Sequence, residues 1–191
     1  MEYTDKKFTL AERNLLNRSK NSKLIAIDAV LVAPPDTSWN TVRLHFENFS
    51  IDVSNRLSNI VVDEMGSLEE FGLLSISEAS NETLSIPEVG TDTTVFRIGE
   101  TVDGLFVVND IVDIFGNGNL VAKLEYPQAI ALSLGETIIV LDKEVWFSEM
   151  IAVKQGDDTK QLLYDESVNW EDNPEEDPST HFEFHTETIE L

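Results

Sequence analysis

The sequence predicts a mostly β fold, α+β in the strict sense because of a short N-terminal helix, with two tandem related antiparallel β-modules packed as a sandwich or pseudo-twofold barrel. Alternating stretches rich in β-branched residues recur from residue 24 onward. These stretches form two series that resemble each other. The predicted units are a basic helical segment at 1–23, a first module with its connector at 24–98, a second module at 99–164 and an acidic tail, partly loop, at 165–191.

The N-terminal segment predicts a short amphipathic helix over residues 9–20. Thr9 followed three residues later by Glu12 is a capping-box pattern. Residues 1–23 contain six basic and three acidic residues, a net charge of +3, which leaves −26 for the rest of the chain. We expect this helix to dock on the acidic body, and binding of a partner is the alternative. Its apolar stripe consists of Leu10, Leu15 and Leu16.

Each module is predicted to be a meander of about four strands with one apolar face. A stretch at 115–119 contains Asn-Gly and predicts a tight hairpin within the second module. Residues 77–98, rich in Ser, Thr, Asn and Glu, are the predicted connector. The predicted strands are 24–32, 42–53, 60–63 and 73–76 in the first module, and 105–114, 120–126, 129–134, 137–141 and 150–153 in the second.

The two series match when the chain is shifted by 79 positions. With a further two-residue slip, residues 24–27 also fall on 105–108. Because apolar strands match each other easily, both internal duplication and a shared β pattern stay open. Under the shift, Ile51, Ser54, Ile60, Val61, Asp63 and Glu70 fall on the identical residue types at Ile130, Ser133, Ile139, Val140, Asp142 and Glu149.

The net charge of −23, with an isoelectric point near 4.2, is the most unusual property of the composition. It argues against nucleic acid and anionic membranes as partners, because both are bound through Lys and Arg. A basic protein or a cation suits it better, and solubility alone also explains it. The absence of cysteine excludes disulfides and thiolate sites. We expect a cytoplasmic bacterial protein, with a homodimer left open by the free sheet edges.

The acidic tail contains the best metal candidate. Residues 165–191 hold ten acids and no Lys or Arg. A strand near the C-terminus would place His181, Glu183 and His185 on one face and two Phe side chains on the other. An edge strand with an apolar inner face gives the same pattern without any metal.

Three tryptophans are the candidate partner-binding residues, since Trp often anchors protein interfaces. Trp39 lies in a predicted loop, Trp146 lies in a segment between strands, and Trp170 is flanked by acids. Burial against the sheet is the alternative for Trp146.

The sequence predicts no enzyme and no cofactor. It contains no nucleophile elbow, Walker loop, dinucleotide fingerprint or His-Glu-x-x-His motif. The leading expectation is a binding or structural protein that acts through protein contacts, in its sharper form an acidic inhibitor of a basic partner, of the immunity or nucleic-acid-mimic type. One alternative is a β-barrel that binds a small ligand or metal, and the other is a hydrolase that uses surface carboxylates.

Overall fold

The computed structural model describes residues 2–33, 36–61, 68–80, 84, 93–145, 147–165, 167 and 179–191. These residues form eleven strands and two short helices, and the prediction of a mostly β fold is confirmed. The helices are α1, Leu10–Asn17, and α2, Thr159–Leu162. The strands are β1 Glu2–Asp5, β2 Lys23–Ala33, β3 Thr37–Phe46, β4 Ser50–Val61, β5 Leu68–Glu78, β6 Thr94–Thr101, β7 Gly104–Gly116, β8 Asn119–Leu134, β9 Thr137–Asp142, β10 Met150–Gly156 and β11 Thr180–Glu190.

The strands belong to one hydrogen-bonded sheet with a branch. Its main path is β11-β7-β8-β9-β10-β3-β2-β6, and β4 and β5 branch off β3. All pairings are antiparallel except that of β1 with β8. The path does not close within the described residues, so the barrel form of the prediction is not found.

The two halves of the chain have the same strand order. The first half is ordered β6-β2-β3-β4-β5 and the second β11-β7-β8-β9-β10. Residues 24–27 and 105–108 lie on β2 and β7, which hold equivalent places. Ile51 and Ile130 lie on β4 and β8, which do not hold equivalent places. The 79-residue shift therefore aligns equivalent strands over only part of its length.

The predicted strand at 42–53 is wrong, because the chain turns within it. β3 ends at Phe46 and β4 begins at Ser50. The amide of Phe46 donates to the carbonyl of Phe49 at 2.9 Å, and the two rings stack with centroids 4.7 Å apart. This turn contains neither Gly nor Pro, and Asn48 is its single typical turn residue, so the sequence signal for it is weak.

The predicted break between 120–126 and 129–134 is also wrong, since β8 runs through both. Pro127 lies opposite Asn109 at a shift in the register between β7 and β8. A proline has no N–H to give to a strand ladder, and bulges are where sheets accept one. The other edge of β8 changes partner here, from β1 at residues 122–125 to β9 at residues 129–134.

The predicted connector at 77–98 contains a strand, since it includes most of β6, which pairs with β2. The tail, predicted to be only partly loop, includes the C-terminal strand that the sequence allowed, as β11, which pairs with β7 along its whole length. The hairpin predicted at 115–119 is confirmed, with positive φ at Asn117 and Gly118.

The helix α1 is shorter than the predicted 9–20. The hydroxyl of Thr9 accepts from the amide of Glu12 at 3.3 Å, and the Glu12 carboxylate accepts from the amide of Thr9 at 2.9 Å. Leu16 is fully buried, whereas Leu10 is 68% exposed, so the apolar stripe does not include Leu10. Glu12 also accepts from the amide of Ile76 at 3.1 Å, which attaches α1 to β5.

One apolar cluster connects the two halves. It contains residues from both, among them Ile27 and Val53 from the first half and Ile130 and Leu141 from the second. Because the largest buried cluster draws on both halves, the described strands share a core. Two smaller clusters lie on the other face of β7 and β8.

Candidate functional site

Three adjacent strands of the second half place a polar row across an otherwise apolar sheet face. Asp110 on β7 lies opposite Tyr126 on β8 and opposite Thr186 on β11. Directly opposed residues of antiparallel strands point to the same face, as do residues two positions apart along a strand. Val112 on one side of the row and Val108 on the other belong to the two smaller apolar clusters. The Asp110 carboxyl is therefore held in mid-strand between two apolar regions.

A cavity of about 460 Å³ lies next to this row. We call it the Asp110 cavity. Its size falls within the ~300–1,000 Å³ that is typical of small-molecule sites. The segment that follows α2 supplies one wall and β11 supplies another. The residues that shape it most are Asp110, Gln128, Leu163, Tyr164, Phe184 and Thr186.

The carboxyl group of Asp110 is buried and only half satisfied. Its residue is 1% exposed. Oδ1 accepts a hydrogen bond from the Thr186 hydroxyl at 3.1 Å, whereas Oδ2 has no hydrogen-bond partner among the described residues. Burial raises the pKa of Asp110 to about 7, which Lys143 and the Thr186 bond oppose and the carboxylates of Asp142 and Asp165 reinforce. This carboxyl therefore exchanges its proton near neutral pH.

Gln128 contributes a second unsatisfied acceptor. Its Nε2 donates to Asp142 Oδ1 at 2.8 Å and to the carbonyl of Glu144 at 3.1 Å. With the amide nitrogen used in this way, Oε1 must point elsewhere, and it is buried without a partner among the described residues. Gln128 is 2% exposed, so bulk water does not replace that partner.

Asp142 is the structural support of the site. It is fully buried, and its oxygens accept from Lys154 Nζ at 3.0 Å and from the amide of Tyr164 at 2.7 Å, besides Gln128. Desolvation lowers the pKa of Lys154, but the carboxylates of Asp142 and Glu144 outweigh it, so the pKa is raised. Asp142 is thus fully hydrogen-bonded, which separates its role from that of Asp110.

Lys143 places a buried positive charge beneath the row. It is fully buried, and its Nζ donates to the carbonyl of Gly72 at 3.2 Å. The same nitrogen lies 3.9 Å from the ring centroid of Tyr126 and 5.4 Å from that of Phe71, which are cation–π distances. Lys143 therefore joins the site to β5 of the first half and favours the ionised form of Asp110.

Two buried acceptors of the site lack a hydrogen-bond partner among the described residues. Leaving a buried polar atom without a partner costs about 1–3 kcal/mol, so such atoms are normally satisfied by protein, water or ligand. Two such atoms, Asp110 Oδ2 and Gln128 Oε1, belong to residues that line the same cavity. Leu163 and Phe184 add apolar wall. The arrangement matches a molecule that carries N–H or O–H donors, or a positive charge, on an apolar body.

The structure places only one of the predicted partner-binding tryptophans. Trp39 lies on β3, not in a loop, and lines a separate cavity of about 220 Å³ that also includes Arg56. Trp146 and Trp170 lie outside the described residues. The partner-binding role of these residues stays a prediction.

The three predicted metal ligands share one side of β11. His181, Glu183 and His185 are exposed, and the Phe side chains between them pack on an apolar cluster. His181 Nε2 and Glu183 Oε1 are 3.9 Å apart. In the part of the chain that the structure describes, no group of three or more His, Asp or Glu side chains is placed to hold a metal ion, so we propose no metal site here.

Sequence reasoning missed the residues of the Asp110 cavity. They belong to no motif, and they come together only through the register of β7, β8 and β11. One signal was present: Asn109 and Asp110 interrupt the apolar run at 105–114. Burying a polar pair inside a strand costs free energy unless its groups are hydrogen-bonded, so such a pair points to a special role.

Comparison with known proteins finds no matching protein family, no matching curated protein and no matching solved structure. No helix in the described residues is long and apolar enough to cross a membrane. The assignment of a function to this chain therefore depends on the geometry of its own residues.

Proposed function

We propose that the chain is a ligand-binding protein whose Asp110 cavity takes a small amphipathic molecule with a protonated amine or a similar donor group. The observation that carries this proposal is the pair of buried acceptors, Asp110 Oδ2 and Gln128 Oε1, in the lining of one cavity. An ammonium group offers three donors and a positive charge. It would satisfy both acceptors and stabilise the ionised form of Asp110.

The charges around the cavity favour a cation over an anion. Asp110 and Asp165 line it, and Lys160 is the one basic residue among the described residues of its lining. The apolar side chains of Leu163 and Phe184 would contact the hydrocarbon part of the ligand. A cavity of about 460 Å³ could also hold several water molecules, each of which takes about 30 Å³ in the liquid. The test has to separate these two occupants.

Benzylamine is the probe for this site, measured by isothermal titration calorimetry at pH 8 with benzyl alcohol and benzoate as neutral and anionic counterparts. We expect benzylamine alone to bind saturably. Asp110→Asn removes the charge and should weaken binding about tenfold or more, since a charge-assisted hydrogen bond contributes about 1.5–3 kcal/mol. Glu187→Gln on the exposed side of β11 removes one carboxylate outside the cavity lining and should leave binding unchanged.

Two outcomes would contradict the ligand proposal. Absence of saturable benzylamine binding in the low millimolar range would mean that water satisfies the acceptors. Equal weakening by Asp110→Asn and Glu187→Gln would mean that the net charge of the chain, not the cavity, attracts the amine.

A second function is favoured by the acidic residues on the opposite face of β7 and β11. Glu183 and Glu187 are exposed on that face, and Glu183 lies opposite Asp113. Together with the net charge of −23, they support an acidic inhibitor that occupies the basic cleft of a nucleic-acid enzyme. This role uses the surface, so it is compatible with a ligand in the Asp110 cavity.

The inhibitor role has its own test. The tagged chain should recover a basic nucleic-acid enzyme from bacterial lysate at low salt, lose it at high salt, and inhibit the purified enzyme. The double variant Glu183→Lys/Glu187→Lys should lose inhibition. Glu100→Lys/Glu136→Lys, an equal change of charge at exposed positions on β6 and in the turn before β9, should retain it. Retention of inhibition by the first variant would count against the β11 surface.

We also infer that the two halves arose by internal duplication. The shared strand order supports this, as does the match of residues 24–27 on β2 with 105–108 on β7. An experimental structure in which the backbones of β2–β6 and β7–β11 fail to superpose would overturn the inference.

A further inference from the structure

A second cavity lies on the opposite face of β7 from the Asp110 cavity. Neighbouring residues of a strand point to opposite faces. Val108 and Asp110 line the Asp110 cavity, whereas Val107 and Asn109 line the second one, whose volume is about 380 Å³. We call it the Asn109 cavity. Lys7, Phe8, Arg13 and Ile189 also line it.

Asn109, which lines this cavity, carries an unsatisfied acceptor. It is 1% exposed, and its Oδ1 has no hydrogen-bond partner among the described residues. Asn109 lies opposite Pro127, at the register shift between β7 and β8. Because an unmet buried acceptor is costly, a bound molecule with a donor for this oxygen would be stabilised by it.

Among the described residues, the lining of the Asn109 cavity contains more basic than acidic side chains, which is unusual in a chain with a net charge of −23. Lys7 and Arg13 are the basic ones and Asp5 is the acidic one. Lys7 is bonded to Glu125, and that bond raises the pKa of Lys7. The guanidinium of Arg13, exposed on α1, forms no hydrogen bond or ion pair with the described residues. Arg13 is therefore available to an incoming anion.

The walls of the cavity are apolar. Phe8 comes from the segment before α1, Val107 from β7 and Ile189 from β11, and Phe8 and Val107 belong to the main core cluster. A ligand that uses all three features has a carboxylate for Arg13, an apolar side chain for the walls, and an N–H donor for Asn109 Oδ1. The Asp110 cavity, with its acidic lining, selects the opposite charge.

We propose that the Asn109 cavity binds a small amphipathic carboxylate with an N–H donor, of the N-acyl amino acid class. This site goes beyond the proposed amine site, because it uses other residues on the other face of β7. The free guanidinium, the buried unpaired amide oxygen and the apolar walls specify the three parts of the ligand.

N-Acetyl-L-leucine is the probe, because it has all three parts and is small enough for the cavity. Titration calorimetry should show saturable binding, and two-dimensional NMR should show shifts of the Phe8, Asn109 and Ile189 amides. N-Acetyl-L-leucine methyl ester, which lacks the charge, should bind at least about tenfold more weakly, since charged hydrogen bonds contribute about 1.5–3 kcal/mol.

Arg13→Gln is the test variant, since Arg13 is exposed and its loss should not affect folding. It should weaken N-acetyl-L-leucine about tenfold or more. Arg97→Gln, an equal loss of charge on the exposed side of β6, should leave the affinity unchanged. Asn109→Asp gives a second measurement, because a carboxylate there would repel the anion. Asp110→Asn should leave this binding intact, which separates the two sites.

Three results would overturn the proposal. They are absence of saturable binding by the wild-type chain, equal affinity for the acid and its methyl ester, and equal weakening by Arg13→Gln and Arg97→Gln. Loss of benzylamine binding with retained N-acetyl-L-leucine binding would instead contradict only the amine site.

Discussion

The two halves of the chain share a strand order, but two of their buried carboxyls, Asp52 in the first half and Asp110 in the second, are in opposite situations. In the first half, Arg43 on β3 donates two parallel hydrogen bonds to the carboxylate of Asp52 on β4. Arg43 Nε donates to Asp52 Oδ1 at 2.7 Å, and Arg43 Nη2 donates to Asp52 Oδ2 at 3.0 Å. Both residues are buried. In the second half, Asp110 keeps one oxygen without a partner among the described residues. The same topology thus holds a closed ion pair in one half and an open carboxyl in the other.

This difference separates a structural charge from a functional one. A fork-shaped pair gives each oxygen of the carboxylate a donor, so neither oxygen depends on a ligand for a partner. A carboxyl with one free oxygen next to a cavity is less stable by itself and can gain that stability from a bound molecule. Functional sites commonly have lower stability than the rest of the fold for the sake of their chemistry.

Removing the arginine of the closed pair should have the largest effect on stability. Arg43→Met leaves the Asp52 carboxylate buried without its partner, and breaking such a pair costs about 3–5 kcal/mol. Urea unfolding at pH 7, followed by circular dichroism, measures this cost. The double variant Arg43→Met/Asp52→Leu should recover most of it, because a hydrophobic pair replaces the ions without leaving a lone charge.

Arg97→Met is the matched control for this prediction. Arg97 is exposed on β6, so its replacement should change the free energy of unfolding by less than about 0.5 kcal/mol. A cost for Arg43→Met no larger than that for Arg97→Met would show that the pair is not a closed structural unit.

The open carboxyl should make stability depend on pH. The ordinary pKa of Asp110 is 3.8 and the folded value is about 7. Between these values the folded state holds a proton that the unfolded state releases, so stability falls as the pH rises from about 4 to 7. At about 1.36 kcal/mol per pH unit, this contribution amounts to about 4 kcal/mol. Asp110→Asn should lack it and should exceed the wild type in stability at pH 8.

Denaturant unfolding of both proteins at pH 4.5, 6 and 8 measures the difference between them. The comparison within each pH removes the effect of the other carboxylates of this acidic chain. Glu187→Gln, which removes an exposed carboxylate, should show the same change of unfolding free energy with pH as the wild type. A difference between wild type and Asp110→Asn that is the same at all three values would mean that the Asp110 carboxyl titrates at its ordinary pKa.

The sequence was informative where structure depends on neighbours in the chain. The Thr9–Glu12 capping box forms at the start of α1, and Asn117 and Gly118 adopt the positive φ values that the hairpin requires. The sequence was misleading where the pairing with another strand decides whether a segment forms a strand. Pro127 suggested a break, yet β8 continues because its edge changes partner there. β6 lies mostly in the predicted connector and is a strand because β2 offers it an edge.

The candidate site was predictable only in part, for a similar reason. The predicted metal ligands, two His and one Glu, were chosen by residue type and strand alternation, and the predicted partner-binding residues were chosen as Trp, whereas the observed site depends on burial. Thr186 is 76 positions from Asp110 and bonds to it only because β11 pairs with β7. Asp110 and Gln128 carry no local signature, so register and burial had to be known before their free oxygens could be found.

The smallest of these effects concerns the one hydrogen bond that the open carboxyl does make. Thr186→Val keeps the shape of the side chain and removes the hydroxyl that donates to Asp110 Oδ1. The ionised carboxylate would then lose a charge-assisted bond, so we expect a cost of about 2 kcal/mol at pH 8 and less at pH 5. The pKa of Asp110 should rise above its wild-type value, because the Thr186 bond lowers it.

Thr188→Val, two residues along the same face and also in the cavity lining, is the control. Carbon-13 NMR titration of the Asp110 carboxyl, together with unfolding at both pH values, distinguishes the two variants. If Thr186→Val and Thr188→Val give the same pKa for Asp110 and the same free energy of unfolding, Asp110 is satisfied in some other way. The contrast between the closed Arg43–Asp52 pair and the open Asp110 carboxyl then fails.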